Sequence, residues 1–367
     1  MKIRNKIFHS LRSISIIGVF VAGIITIIAS GGNGDSVPNP YNVLLSGDYQ
    51  LLSVEFEWDH MNIRSGDVVA DGQGTLTYGG GTIAYSITAE RLISISVPSD
   101  SSVETEYGIV ASDGSLAVIT DAQLDDPNDQ RDVETHLVVK KSTNMTMDRV
   151  SGEFIISQIG QNASGYYTSR VLVVLENDTS GTWEILDHTQ PAEVGLNGNL
   201  SYVVAADGTF SVNNGASPTD DTGIIAPDAN MFVMIDADTT DADNEIIFAI
   251  GVRKSASAPV FSSDNYQLHF IGNDYSNFYP YGPQFAARWN AVEDAVNLEF
   301  DATAIVDSRG IASGTPVSIS HTAVATDGTF VAEGTDLGIV SPDGKYFAIV
   351  ETDQINDLEM KIGFAID

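Results

Sequence analysis

The sequence predicts an all-β protein built from three tandem antiparallel meander repeats, and two observations support this prediction. Beyond residue 44, short runs rich in Val, Ile, Tyr, Phe and Thr are bounded by Gly, Asp and Asn, as is typical of strands. In addition, one motif recurs at a constant interval along the chain, which is typical of repeat architectures. Together these patterns indicate three copies of a single β unit.

The recurring motif has the form G-I-[VI]-[AS]-x-D-[GA] and begins at Gly108, Gly223 and Gly338. The two intervals are equal, since 223 − 108 and 338 − 223 are both 115. Asp207-Gly208 and Asp327-Gly328 lie between apolar runs and predict two-residue hairpin turns, because glycine accepts the positive φ of such turns. Each copy is therefore expected to form seven or eight short strands.

Two architectures fit this strand count. In the favoured one, each copy closes into a small up-and-down β-barrel, because closure removes the exposed edges of a sheet. An opening G-x-Y strand, a meander of hairpins and a closing apolar strand follow one another in an order that resembles lipocalin- or avidin-type barrels. In the alternative, each copy supplies two four-stranded blades of a six-bladed β-propeller, since the stretch GIVSPDGKYFAIV from Gly338 resembles a propeller blade.

The three repeats have predictable limits. We expect β repeats over residues 45–142, 150–255 and 262–367, which are separated by short linkers. Residues 32–44 are expected to form a tether between the first repeat and residues 1–31, which are expected to be a signal peptide or a membrane anchor.

The expected leader combines a basic start with an apolar run. Lys2, Arg4 and Lys6 precede the run from Ile14 to Ala29, which is about as short as a membrane-spanning helix can be. The segment resembles a bacterial lipoprotein signal in which Gly31 replaces the lipidated cysteine. This resemblance implies an exported protein that is periplasmic, outer-surface or extracellular. Cleavage after Gly31 and retention as an uncleaved anchor both remain open.

Composition narrows the possible partners. The chain has 17 basic and 50 acidic residues, and its formal net charge of −33 repels nucleic acids and anionic membranes. We therefore expect no nucleic-acid partner, and contact with a membrane only through an uncleaved leader. Cysteine is absent, so neither disulfides nor cysteine metal sites can form. No cofactor is expected, apart from a possible calcium ion.

One acidic segment is a candidate calcium site. It contains Asp236, Asp238, Asp241, Asp243 and Glu245 within IDADTTDADNE. Calcium prefers six to eight oxygen ligands, which closely spaced carboxylates on a bent loop can supply. The alternative interpretation is a solvated acidic hairpin loop, because the segment lacks the full EF-hand spacing.

A second candidate site is the aromatic segment NDYSNFYPYGPQF. It groups Tyr275, Phe278, Tyr279 and Tyr281 in one loop. Exposed aromatic rings can stack on sugars or anchor a protein partner. The alternative is that these rings fold back onto their own repeat.

These observations favour a non-catalytic, exported binding or interaction protein of the bacterial cell envelope. Its partner would be a carbohydrate, a protein or a small ligand. The sequence contains neither an H-E-x-x-H zinc motif nor a G-x-S-x-G nucleophile motif. The repeat pattern resembles uncharacterised envelope proteins, which implies a location without a chemistry. Two alternatives remain: a carrier of small apolar ligands in barrel lumens, and a propeller-type hydrolase with carboxylates around a central channel.

Overall fold

The computed structural model confirms an all-β protein made of three successive eight-stranded antiparallel sheets. It describes residues 39–56, 60–98, 103–121, 133–213, 221–236, 245–262, 265–274, 284–309, 311–352 and 357–366. Within these ranges, no helix has the length and hydropathy that crossing a membrane requires.

The first sheet, barrel 1, is closed. Its first strand pairs with both its second and its eighth strand, so the meander forms a complete ring. A short 3-10 helix, Asn42–Leu44, precedes it. Its strands are β1 (Ser46–Phe56), β2 (Met61–Asp71), β3 (Thr75–Tyr78), β4 (Gly81–Ile87), β5 (Leu92–Pro98), β6 (Val103–Val110), β7 (Leu116–Asp121) and β8 (Val133–Lys140).

The second sheet, barrel 2, is closed in the same way by pairing of its first and last strands. A one-turn helix, α1 (Met147–Val150), precedes it, and a 3-10 helix, Pro191–Glu193, follows its third strand. Its strands are β9 (Gly152–Asn162), β10 (Gly165–Leu175), β11 (Ser180–His188), β12 (Asn197–Val204), β13 (Thr209–Asn213), β14 (Thr222–Ile225), β15 (Met231–Asp236) and β16 (Ile246–Arg253).

The third sheet, barrel 3, has the same strand order but is less completely closed. Between its fourth and fifth strands, a single bridge joins His321 and Ala332, and the Glu333 amide donates to the Ser320 carbonyl at 2.9 Å. Its strands are β17 (Asn265–Asp274), β18 (Gln284–Asp294), β19 (Glu299–Asp307), β20 (Pro316–Ser320), β21 (Thr329–Ala332), β22 (Asp336–Val340), β23 (Tyr346–Val350) and β24 (Asp357–Ala365).

This topology confirms the prediction of tandem barrels and shows that the propeller alternative was wrong. Each repeat forms one continuous eight-stranded sheet, whereas a propeller would need two four-stranded blades. The motif glycines Gly108, Gly223 and Gly338 lie on the sixth strand of their barrels. A Cβ on Gly338 would lie 2.4 Å from the ring of Phe330, so the close packing of neighbouring strands requires glycine here.

The segment before the first strand of each barrel packs into one end of that barrel. In barrel 1, the Tyr85 hydroxyl donates to the Leu45 carbonyl at 2.7 Å and holds the preceding 3-10 helix against the end. In barrel 2, α1 inserts Val150, which is fully buried. In barrel 3, the ring of Phe261 contacts the ring of Phe300 at 5.2 Å. The sequence predicts that these segments are a tether and linkers, and in the structure they also cover one end of each barrel.

The three barrels contact one another in a cyclic pattern. The first two strands of barrel 1 lie against the last two strands of barrel 2, and the corresponding strands of barrels 2 and 3 meet in the same way. The first two strands of barrel 3 then lie against the last two of barrel 1. Each barrel uses the same two surfaces, so the repeats form a closed ring with approximate three-fold symmetry.

One apolar cluster, here called the central cluster, lies between the barrels. It is built mainly from outward-facing side chains of the first, sixth, seventh and eighth strands of each barrel, and the second strands add Met61, Tyr166 and Ala286. Fully buried members from the three barrels include Leu52, Val118, Leu137, Ile159, Val233, Phe248, Ile250, Ile339, Ala348 and Met360. In an isolated barrel these side chains would face water, so burial here stabilises the ring at roughly 25 cal/mol per Å² of apolar surface.

The junctions between consecutive barrels add polar contacts to this packing. Between barrels 1 and 2, the Met61 amide donates to Gln161 Oε1 at 2.8 Å. Between barrels 2 and 3, the Thr168 hydroxyl donates to the Glu351 carbonyl. These bonds satisfy polar groups in a buried interface, where an unpaired group would be costly.

Barrels 1 and 3, which are not consecutive in the chain, also meet at a junction with buried polar contacts. His269 Nδ1 and Thr120 Oγ1 are 2.7 Å apart and share a hydrogen bond. Arg288 Nη1 donates to the Gly108 carbonyl at 3.0 Å. Burial lowers the pKa of His269 well below its ordinary value, with Arg288 contributing, so the imidazole is neutral at this junction.

The ring predicts that an outward-facing core residue matters for stability. Phe248 lies on the outer face of barrel 2 but is 0% exposed. We expect Phe248→Ala to lower the free energy of unfolding of the full chain by about 3–5 kcal/mol, because it leaves a cavity in the central cluster. Urea unfolding followed by circular dichroism measures this loss.

Val203 provides the matched control, since it also faces outward on barrel 2 but is 64% exposed. Val203→Ala is expected to change the free energy of unfolding by no more than about 0.5 kcal/mol. Equally small effects for both variants would show that the barrels are independent beads.

Candidate ligand-binding lumen

The lumen of barrel 3 is filled by large side chains. Trp289 Nε1 donates to Asp307 Oδ2 at 3.0 Å, and the indole packs on Phe270 with ring centroids 4.7 Å apart. Lys361 is almost completely buried, and its Nζ donates to Asp336 Oδ2 at 2.7 Å. These hydrogen-bonded and packed groups occupy the space between the strands.

The lumen of barrel 1 is filled by a network of charged side chains. His136 Nε2 lies 3.3 Å from Glu106 Oε2, and His136 Nδ1 lies 3.5 Å from Glu134 Oε1. Arg64 Nη2 lies 2.5 Å from Glu55 Oε2 and bridges to Glu134 through Nη1 at 3.7 Å. Burial favours the neutral imidazole, but Glu134 and Glu106 outweigh it and raise the pKa of His136 to about 9.

Barrel 2 carries smaller side chains at the positions that fill barrel 3. In barrel 3, Phe270 and Lys361 are directly paired on adjacent strands. The pair at the same register in barrel 2 is Gln158 and Ala249. One large ring and one long cation are thus replaced by an amide and a methyl group.

The second strand shows the same difference. Trp289 pairs with Leu268 in barrel 3, and the register-equivalent pair in barrel 2 is Val171 with Ile156. Valine cannot fill the volume of an indole. The result is a cavity of about 440 Å³ inside barrel 2.

The walls of this cavity are mostly apolar. Most of the residues that line them face inward from the strands of barrel 2, and they include Val171, Val173, Leu200, Phe210, Ile225 and Phe232. Apolar walls with a few polar groups at one side are typical of small-molecule sites.

One end of the cavity is closed. Phe232 packs against Phe154 and Phe210, with ring centroids 5.2 and 5.3 Å apart. The Arg253 guanidinium lies 4.6 Å from the centre of the Phe154 ring and donates to the carbonyls of Ala229 and Ser151, both at 2.8 Å. Together with α1, these groups form a floor, so a ligand has to reach the cavity from the other end of the barrel.

The other end, the mouth, is polar. Tyr167 stacks on His188 with ring centroids 4.7 Å apart, and the Tyr167 hydroxyl donates to Glu245 Oε1 at 2.5 Å. Gly160 permits this arrangement, because a Cβ there would lie 2.5 Å from the Tyr167 ring. His188 Nδ1 accepts a hydrogen bond from the Gln190 amide at 2.8 Å, and burial lowers the pKa of His188 to about 4. His188 is therefore neutral at physiological pH.

Four carboxylates also line the cavity near its mouth: Glu193, Asp221, Asp236 and Glu245. The cavity lining in the described part of the chain includes no lysine and no arginine. With His188 neutral, the charged groups of the lining are all acidic. The lumen is thus an apolar cavity beneath an acidic rim.

The predicted calcium site falls partly on this rim. Asp236 ends β15 and Glu245 precedes β16, and both line the cavity. Asp238, Asp241 and Asp243 lie outside the described residues. Within the described residues, no group of three or more His, Asp or Glu side chains is arranged to hold a metal ion. The calcium site stays a prediction.

The predicted aromatic site also stays a prediction. Tyr275, Phe278, Tyr279 and Tyr281 lie between β17 and β18, outside the described residues.

Sequence reasoning kept a ligand-carrying barrel lumen as an alternative but did not identify barrel 2 as the repeat that has one. The signal was present in the difference between aligned repeats: Trp289 in the third copy corresponds to Val171 in the second, and Lys361 corresponds to Ala249. The correspondence depends on strand register, which the repeat motif alone does not supply because the opening strands are spaced differently.

Comparisons with known proteins give no family for this chain. No protein-family model matches it, and no curated protein sequence matches it.

Three solved structures show weak similarity. A protein of unknown function from the DUF3598 family of Nostoc punctiforme matches 59% of this chain and 99% of its own, with 6% identity and a TM-score of 0.23. Intact Ap-TbpB, with N and C lobes, matches 86% of this chain and 76% of its own, with 8% identity and a TM-score of 0.28. A transferrin binding protein B mutant from Haemophilus parasuis matches 87% and 75%, with 8% identity and a TM-score of 0.26. TM-scores this low support no inference about function.

The filled lumen of barrel 1 predicts a pH dependence. The raised pKa of His136 means that the folded state binds its proton more tightly than the unfolded state, whose histidine has a pKa near 6.5. The stabilisation is complete below about pH 6.5 and is lost as the pH rises toward 9. Wild type is therefore expected to lose stability relative to His136→Gln across this window, as measured by urea unfolding. A difference between the two proteins that stays constant with pH would contradict this account.

Proposed function

We propose that this chain is a non-catalytic exported protein that binds a small, largely apolar molecule in the lumen of barrel 2. The observation that supports the proposal is the cavity of about 440 Å³, present where the register-equivalent residues of barrel 3 fill their lumen. Its volume lies within the roughly 300–1,000 Å³ that is usual for small-molecule sites.

The proposed site has a defined depth and polarity. Phe154, Phe210 and Phe232 form an apolar floor, and the walls above them include Val171 and Leu200. Moving an apolar ligand out of water into this lumen is favourable by roughly 25 cal/mol per Å² of buried apolar surface. Barrel 2 is closed, with every strand paired to both of its neighbours, and such a preorganised site lowers the entropy cost of binding.

The fold removes the premise of the hydrolase alternative. That hypothesis required carboxylates around the central channel of a propeller, whereas the repeats form separate eight-stranded barrels around an apolar cluster. The carrier alternative, which requires a real lumen, gains support from barrel 2 alone, since packed side chains occupy the described lumens of barrels 1 and 3.

Filling the lumen should abolish binding. Val171→Trp places in barrel 2 the residue that barrel 3 carries at the same register. We expect it to weaken binding of the neutral fluorophore N-phenylnaphthylamine about tenfold or more, because the indole occupies the ligand volume. Fluorescence titration of the full chain measures the change, and Val212→Phe on β13 should act in the same direction.

Val203→Trp is the matched control, because it adds the same indole to an exposed position on the outside of barrel 2. This control should bind the fluorophore like wild type. Unchanged binding by folded Val171→Trp, with a wild-type circular dichroism spectrum, would show that the ligand does not enter this lumen.

A further inference from the structure

The charged groups at the rim of the lumen are all acidic. This charge narrows the class of ligand further than the proposed function does, and the inference rests on that proposed function. Glu193, Asp221, Asp236 and Glu245 line the cavity, and no lysine or arginine of the described chain does so. His188 adds no positive charge, since burial lowers its pKa to about 4. An ionised group of the ligand placed at this rim would therefore meet negative charges from the lining.

The energetic consequence differs sharply between ligand classes. A carboxylate or phosphate at the rim would lose hydration and face like charges, which costs free energy. An ammonium group would exchange its hydration for attraction to carboxylates, and hydrogen bonds to charged groups contribute about 1.5–3 kcal/mol each. The formal net charge of −33 on the whole chain acts in the same direction at longer range.

The lower part of the cavity determines the polarity of the rest of the ligand. Apolar side chains such as Val173, Leu200 and Ile225 line it, and the aromatic floor closes it. A fully hydrated cation could not use this surface, whereas an organic cation with an apolar body could occupy both regions at once. The lower part of the cavity is apolar and the rim is acidic, so the complementary molecule is amphipathic, with a positive charge at one end.

We infer that the lumen of barrel 2 binds small organic amines in protonated form, with the apolar body in the lumen and the ammonium group at the rim beside Glu245. Neutral polar groups also line the cavity, with Asn162 and Gln190 at the mouth and Gln158 deeper inside, opposite Ala249. These groups tolerate a hydroxyl or an amide on the ligand, but they do not compensate for a negative charge.

A head-group series tests the inference on the full chain. Octylamine, octanol and octanoate are unbranched eight-carbon compounds that differ mainly in their head group and its charge at neutral pH. Each would be titrated below its micellar concentration, in EDTA-containing buffer, against bound N-phenylnaphthylamine. We expect the apparent affinity to fall in the order octylamine, octanol, octanoate, with octylamine at least about tenfold tighter than octanol.

Two charge-neutralising variants locate the effect. Glu245→Gln keeps the size of the side chain and a hydrogen-bond acceptor for Tyr167, and it should reduce the octylamine-to-octanol affinity ratio by about three- to tenfold. Glu184→Gln removes the same charge from an exposed position on the outside of the barrel, and the ratio should stay as in wild type.

The outcomes separate the two proposals. If no octyl compound displaces the fluorophore and the fluorophore itself does not bind, the proposed function fails. If octanol binds while octylamine gains nothing or octanoate binds most tightly, the lumen is a binding site but the amine inference is wrong. Glu245→Gln and Glu184→Gln could also reduce the preference for octylamine equally. The preference would then come from the overall charge of the chain, and the proposed role of the rim would be wrong.

Discussion

The structure depends on the burial of outward-facing apolar side chains between the three barrels. In a free-standing barrel the inner face forms the core and the outer face meets water. Here the first, sixth, seventh and eighth strands are apolar on their outer faces as well, and members such as Leu137, Val233 and Met360 are fully buried in the central cluster. The cyclic contacts follow from this constraint, because only a closed ring covers the same surfaces on all three copies.

This arrangement relates stability to function. Because the central cluster lies outside the lumens, it stabilises each barrel without using that barrel's interior. The interiors are then free to differ: barrel 1 holds the His136 charge network, barrel 3 holds the Trp289 and Lys361 packing, and barrel 2 keeps a cavity. An unfilled lumen gives up packing energy of its own, and the apolar surface that barrel 2 buries in the ring offsets this loss.

The sequence was sufficient to predict the repeat architecture but insufficient to predict the position of the candidate site. The spacing of Gly108, Gly223 and Gly338 predicted three repeats, and short runs of β-forming residues bounded by Gly, Asp and Asn predicted their strands. The sequence favoured barrels and left blades as an alternative, since hairpin signals are the same in both and only the pairing of the first and eighth strands decides between them. The acidic segment drew attention to Asp236 and Glu245 as calcium ligands, which stays a prediction, and only the structure relates these two residues to the lumen. That lumen results from Val171 and Ala249 lying at particular registers on β10 and β16, the two strands that flank β9, a relation that local patterns do not contain.

Barrel 2 has an open apolar lumen, whereas side chains fill the described lumens of barrels 1 and 3, and xenon binding distinguishes an open lumen from a filled one. Xenon enters apolar cavities without needing polar contacts. Diffraction from crystals of the full chain under xenon pressure should show xenon inside barrel 2, beside Val171 and Leu200, and none within the lumens of the other two barrels. A barrel 2 without xenon, or xenon bound equally in all three lumens, would contradict the account.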